Sequence, residues 1–159
     1  MNERAEHPII RAATQVLVTS AEARSWFLDL ETHPERYQFE THAGFAFSAG
    51  NFGEIGARFQ TWERFLGLTL NLHFELTETG DSHFRFRLIQ PPLPIWCAFT
   101  IGEHTGDSID LGLEVGGTSH TGEWFLRLPV VKPTVQRQIA SEIEHIKASM
   151  EALSDFAQT

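Results

Sequence analysis

Hydrophobic positions along this chain change their period more than once, and the changes mark the elements. Residues Ala12 to Thr19, with Val16, Leu17 and Val18, suit a β-strand that ends where Thr19-Ser20-Ala21-Glu22 fits a capping box. From that cap Ala23, Trp26, Phe27 and Leu30 fall at i, i+3, i+4 and i+7, the one-sided spacing of a helix, until Thr32-His33-Pro34 interrupts it. A second short helix is expected after Pro34.

From Thr41 the period becomes two, and turn residues divide the chain into six successive strands of an antiparallel meander. Gly50-Asn51-Phe52-Gly53 separates the first two, Pro91-Pro92-Leu93-Pro94 makes a stiff loop, and Thr-Gly-Asp-Ser, at Thr79–Ser82 and Thr105–Ser108, reads as two hairpin turns with glycine at positive φ. Leu66, Leu68, Leu70, Leu72, Phe74 and Leu76 share one face, and Phe84, Phe86 and Leu88 repeat the pattern, as do Ile109, Leu111 and Leu113. That apolar face needs a cover. The C-terminal segment offers one: Val135, Ile139, Ile143, Ile146, Met150 and Leu153 form a stripe, with Gln136, Glu142, Glu144, Lys147 and Glu151 assigned to other faces. Such a helix, expected within 131–157 and of about 25 residues, would reach roughly 38 Å at about 1.5 Å per residue, enough to cross a sheet.

Composition narrows the function. Twelve basic against twenty-one acidic residues leave a net charge of −9, which disfavours an electrostatic nucleic-acid binder. No apolar run reaches the roughly 20 residues of a membrane span, no secretory signal is evident, and the single Cys97 has no disulfide partner, so a cytoplasmic location is expected. Residues 1–8 read as a polar lead-in and 9–157 as one domain. No histidine pair has helical zinc-site spacing, and Gly116-Gly117-Thr118-Ser119 lacks the lysine of a phosphate loop; neither metal nor cofactor is expected.

The order of strand, two short helices, six-strand meander and long terminal helix resembles the START-like, polyketide-cyclase-like SRPBCC superfamily. Local pieces add to the resemblance: Val18-Thr19-Ser20-Ala21-Glu22-Ala23 leading to Trp26-Phe27-Leu28-Asp29, Gly53-Glu54-Ile55-Gly56-Ala57, and Leu128-Pro129 ahead of the last helix. None of these is a catalytic signature. The resemblance implies an α+β helix-grip fold, in which a curved seven-strand antiparallel sheet wraps a long C-terminal helix and encloses a cavity for lipids, polyketides, hormones or aromatic compounds, with or without catalysis.

Polar residues that strand parity turns inward carry any specific chemistry. If Ile55, Ala57 and Phe59 face the cavity, so do Thr61 and Glu63 unless a bulge at Trp62 reverses the parity; Ile95, Cys97, Phe99 and Ile101 likewise bring Glu103 inward. Glu63 is the candidate general acid or base, since an apolar pocket raises a carboxyl pKa. Tyr37 either plugs the core or offers its hydroxyl to a ligand, and Trp124 and Phe125 suit an entrance. A mostly apolar cavity of several hundred Å³ is expected, bordered by Phe45, Phe59, Leu70, Phe86, Phe99, Leu111 and Ile143. With so few inward polar groups, binding or transport of a small hydrophobic ligand is favoured over a cyclase or dehydratase, and a protein-interaction module is the third reading. Oligomeric state is left open.

Overall fold

The computed structural model describes residues 6–158. Strand β1 (Ile10–Val16) leads into helix α1 (Ser20–Leu28), followed by 3-10 turns at Asp29–Glu31 and Pro34–Tyr37. Six strands follow: β2 (His42–Ala49), β3 (Arg58–Phe65), β4 (Leu68–Thr79), β5 (His83–Gln90), β6 (Ile95–Thr105) and β7 (Ser108–Gly117). Helices α2 (His120–Leu126) and α3 (Val131–Ala157) complete the chain. Of the expected lead-in, residues 1–5 lie outside the described residues; Glu6 forms an ion pair with Arg85 of β5.

The strands form one antiparallel sheet in the order β1-β7-β6-β5-β4-β3-β2. Each meander strand therefore lies beside its chain neighbour, and β1 returns to close on β7. Helix α3 packs most closely along β1. Its side chains also serve the free edge of that strand: Gln136 Nε2 donates to the Arg11 carbonyl (2.8 Å), and Glu151 Oε1 accepts from the Leu17 amide (3.0 Å). These two bonds cover part of that edge. Ile139, Ile143, Ile146 and Met150 are buried beneath α3, each adding about 1.5–3 kcal/mol of apolar transfer.

The capping box at α1 forms: Thr19 Oγ1 accepts from the Glu22 amide, and Glu22 Oε2 accepts from the Thr19 amide at 2.7 Å. Glu22 Oε1 also accepts from Ser154 of α3, and Trp26 Nε1 donates to Ser149 Oγ at 2.9 Å, so α1 is tied to the terminal helix by polar contacts as well as by packing. Phe27 of α1 is fully buried and meets Phe99 of β6 with ring centroids 4.7 Å apart.

Several expectations need correction. The first strand ends at Val16, and Leu17 is exposed. Leu66 and Leu68 are not core residues: Leu66 (φ 49°) and Gly67 (φ 79°) form a two-residue hairpin turn between β3 and β4, leaving the two leucines 60% and 65% exposed. The turns at Thr79–Ser82 and Thr105–Ser108 form where expected, but the positive-φ glycines are Gly50, Gly56 and Gly67, not Gly80 or Gly106. On α3, Leu153 is exposed while Ser154 is buried, its hydroxyl donating to Glu22 of α1. Glu142 is buried instead of lying on the polar side. Gly116 and Gly117 have packing roles: a Cβ on Gly116 would sit 2.5 Å from the Trp96 ring, and one on Gly117 2.4 Å from the Glu123 nitrogen of α2.

Replacing Ile143, fully covered between α3 and the sheet, with aspartate strands a charge in the core. Ile143→Asp is expected to lower unfolding free energy by about 3–5 kcal/mol. Urea denaturation followed by circular dichroism measures this; a midpoint equal to that of the wild type would place the side chain outside the core.

Candidate functional site

Between α3 and the sheet lies a cavity of about 190 Å³, walled mainly by β2–β6 with Leu113 and Val115 of β7. Its wall is mostly apolar, and phenylalanine rings from β2, β3, β4, β5 and β6 take up much of the space. They pack in sequence around the curve, Phe45 against Phe59 at 5.4 Å, Phe59 against Phe86 at 5.2 Å and Phe86 against Phe99 at 5.7 Å between centroids. This filling makes the cavity smaller than the several hundred Å³ expected from the sequence.

Phe45, Phe59, Thr61, Leu70, Phe86 and Phe99 line the cavity, together with Tyr37 and Glu63. Three other expected residues do not. Glu103 is exposed, because it keeps the inward parity of β6 but lies beyond the covered part of the sheet, near the hairpin to β7. Leu111 and Ile143 are buried against one another's layers, where α3 lies close to β1 and β7 and leaves no space. At the α2 end, Phe125 lines the cavity whereas Trp124 is exposed. Cys97 also lines it; burial, and then the nearby Glu63 carboxylate, push its thiol far above the ordinary range, so it is not a ready nucleophile.

One part of the wall is polar. Glu63 reaches it because β3 pairs regularly with β4 through Trp62 and Glu63, with no bulge at Trp62. The irregularity is on β2 instead. His42 stands opposite Glu63 and Gly44 opposite Trp62, which leaves Ala43 as an extra residue. Phe45 faces the core, so an unbroken strand would turn His42 outward; the bulge turns it inward, where it is 2% exposed. Gly44 permits the close packing beside it, since a Cβ there would lie 2.8 Å from the Trp62 ring.

His42 Nε2 lies 3.4 Å from Glu63 Oε1 and 3.3 Å from Glu142 Oε2, yet neither ring nitrogen has a partner in hydrogen-bond geometry. Glu63 accepts from Thr61 Oγ1 at 2.9 Å and from Gln138 Nε2 at 3.0 Å. Glu142 accepts from the Tyr37 hydroxyl. Around this group Phe39 stacks on His42 and on His145, the latter at 4.2 Å. Sequence reasoning missed His42 and Glu142; the first needed the bulge, and the second shares the inward side of α3 with Val135, Gln138 and Ile139.

Burial governs the charge of this cluster. It pushes Glu142 up to about 8, and Glu63 up to about 7 despite the opposing hydrogen bonds from Thr61 and Gln138. Burial, and then the charge of His145, hold the His42 imidazole down to about 3. Near neutrality the cluster thus stores protons on carboxyls beside an unprotonated imidazole. Such an arrangement can exchange a proton with a bound molecule, and its carboxyl oxygens can accept hydrogen bonds from one.

No family model matches the sequence, and no curated protein matches it. Solved structures do. A START superfamily protein from Mycobacterium smegmatis superposes with a TM-score of 0.64 at 15% identity, over 93% of this chain and 97% of that one. The Zhui aromatase/cyclase from a Streptomyces species gives 0.69 at 8% identity over 89% and 92%, respectively. The chain has the START-like helix-grip fold. Norcoclaurine synthase from Thalictrum, a point mutant in complex with a transition-state analogue, shares this helix-grip architecture at TM-score 0.67 and 9% identity over 94% and 95%. These identities relate folds, not sites, and the chemistry of the helix-grip cavity rests on its own residues.

The shifted groups make stability depend on pH. Both carboxyls bind protons more tightly folded than unfolded, so their contribution is complete below about pH 4.5 and is lost as pH rises through about 7 and 8. His42 has the opposite sign, its contribution being present above 6.5 and lost as pH falls toward about 3. The urea midpoint of the wild type is therefore expected to fall from about pH 6.5 to about pH 9, and that of Glu142→Gln to fall less. Parallel curves for the two proteins would show that Glu142 is ionised in the folded state.

Proposed function

We propose that the chain binds a small hydrophobic molecule in this cavity, with the polar group of the ligand set against Tyr37, His42, Glu63 and Glu142. The observation that carries the reading is an apolar, aromatic-walled space that ends on one polar cluster. Volume sets the scale: an apolar protein cavity of about 150 Å³ accommodates benzene, so about 190 Å³ suits a single aromatic ring with a short substituent. The START superfamily, aromatase/cyclase and norcoclaurine synthase neighbours support the reading through their common fold. Phe45, Phe59, Leu70, Phe86 and Phe99 are the proposed apolar contacts, and Tyr37, Thr61 and Glu63 the polar ones. The reading takes residues 9–157 as one binding domain and the cytoplasm as its location; no described helix is long and apolar enough to cross a membrane. An interaction module with a solid interior is disfavoured by the cavity.

A specific observation favours a second reading, that of an acid–base enzyme of the cyclase or dehydratase type. Glu63 faces the cavity with its carboxyl held near neutral pH and fixed by Thr61 and Gln138. A group poised there gives or takes a proton at a ligand carbonyl or hydroxyl at little cost. The binder and the enzyme share one geometry and differ in whether the bound molecule turns over.

Titration with a displaceable apolar fluorophore tests the common premise. Leu70→Trp is expected to weaken the probe about tenfold or more by filling the space, whereas Glu63→Gln should change affinity little and abolish any turnover. Equal binding by wild type and Leu70→Trp would remove the cavity as the ligand site.

A further inference from the structure

Two carboxyls converge on this cavity from different elements, Glu63 from β3 and Glu142 from α3, and no lysine or arginine lines it among the described residues. Buried carboxyls ordinarily meet a protein cation. Here the single basic side chain facing them is the His42 imidazole, whose Nε2 has both carboxyl groups within 3.4 Å but no hydrogen-bond partner. The acceptors left over are Glu63, Glu142 and His42 Nε2, the last free to accept when the ring proton is on Nδ1. Aromatic faces stand beside them, with Tyr37 and Phe45 rings 5.0 Å apart and both in the cavity wall.

From this we infer that the ligand class of the cavity is a small hydrophobic amine, whose ammonium is held between Glu63, Glu142 and His42 while its apolar body lies among the phenylalanines. The inference rests on the cavity-binding reading above and refines it. An ammonium carries three donors, matching three acceptors drawn from β2, β3 and α3. Its charge is the counter-ion that the two carboxyls lack, and the aromatic faces add cation–π attraction in a desolvated site. A carboxylate ligand meets the opposite situation: with both glutamates protonated it finds no cation, and with either ionised it is repelled. The selectivity for an amine over an anion therefore belongs to the ionised cluster. Anionic amphiphiles such as fatty acids are repelled by the ionised carboxyls on the same ground.

The groups facing the ammonium are Tyr37 from the second 3-10 turn, His42 from β2, Thr61 and Glu63 from β3, Cys97 from β6, and Gln138 and Glu142 from α3, with His145 behind His42. Of these, the two carboxyls titrate within the neutral range, and the ammonium requires them ionised. Binding of an amine thus releases protons and strengthens as pH rises through that range, until the ligand itself deprotonates.

The experiment is calorimetric titration of the 159-residue chain with three molecules of like size: 2-phenylethylamine, 2-phenylethanol and 3-phenylpropionate. Expected at about pH 8 is an amine bound about tenfold more tightly than the alcohol, with the carboxylate weaker than either. Between about pH 6 and about pH 8 the amine should gain affinity and release protons, read as a heat that depends on the buffer, while the alcohol does neither. Glu142→Gln and Glu63→Gln should erase the preference for amine and keep alcohol binding; the wild-type ranking and proton release decide the matter even where a variant fails to fold. An alcohol or carboxylate bound as tightly as the amine overturns the amine assignment alone. Failure of an apolar fluorophore to bind removes the cavity reading with it.

Discussion

A sheet with apolar side chains along one face cannot stand without a cover, and in this chain the cover is a single helix held along one edge of the sheet. Helix α3 follows β1, Gln136 bonding the Arg11 carbonyl in that strand and Glu151 the Leu17 amide just beyond it. The rest of the sheet curls away from the helix. Where helix and sheet are close, beneath Ile143 and Leu111, the core is solid; where the curl carries β2–β6 away, the space is only partly filled by phenylalanine rings. The cavity thus follows from one helix covering a sheet wider than itself. Its position at the β2–β6 side follows from anchoring that helix at β1.

The cavity in turn sets the electrostatics. A carboxyl on an exposed helix face costs nothing to ionise, whereas Glu142, on the cavity side of α3, must either keep its proton or find a counter-charge. The same holds for Glu63. Replacement of a buried polar group by a well-packed apolar one often leaves stability unchanged or improved. Two such carboxyls and a desolvated imidazole in one cavity are therefore better explained by a molecule they contact than by the folded state they burden.

Period and turn chemistry were sufficient for the α+β architecture, since alternation, the Thr19–Glu22 cap and the α3 stripe are local features that fix element type directly. The terminal helix occupies 131–157 as its stripe implies. What local pattern could not give was position relative to the other elements. Glu103 keeps the parity of β6 and is exposed because cover ends before it does. Leu66 looks like another member of an alternating row, yet it occupies a hairpin turn at positive φ, a place where asparagine or glycine would have signalled the turn. Glu142 lies on the flank of the apolar stripe, three residues from Ile139 and four from Ile146, unlike Glu144, but the space it faces comes from the curl of the sheet, which no pattern within α3 contains.

His42 illustrates a different limit. Parity counted from Phe45 assigns it to solvent, and the extra residue at Ala43 reverses the assignment. The bulge has no composition of its own; its one local trace is Gly44, required because the Trp62 ring lies where a Cβ would be. Three departures from regular structure therefore coincide at this end of the sheet: a broken ladder, a glycine in a strand, and ionisable groups placed out of water. Each alone weakens a sheet, and together they direct one imidazole and one carboxyl from adjacent strands to a second carboxyl on the helix. Stability alone gives no reason to concentrate them. A regular β2, with His42 facing solvent and an apolar residue in place of Glu63, would satisfy every requirement of the fold while leaving the cavity without a polar end.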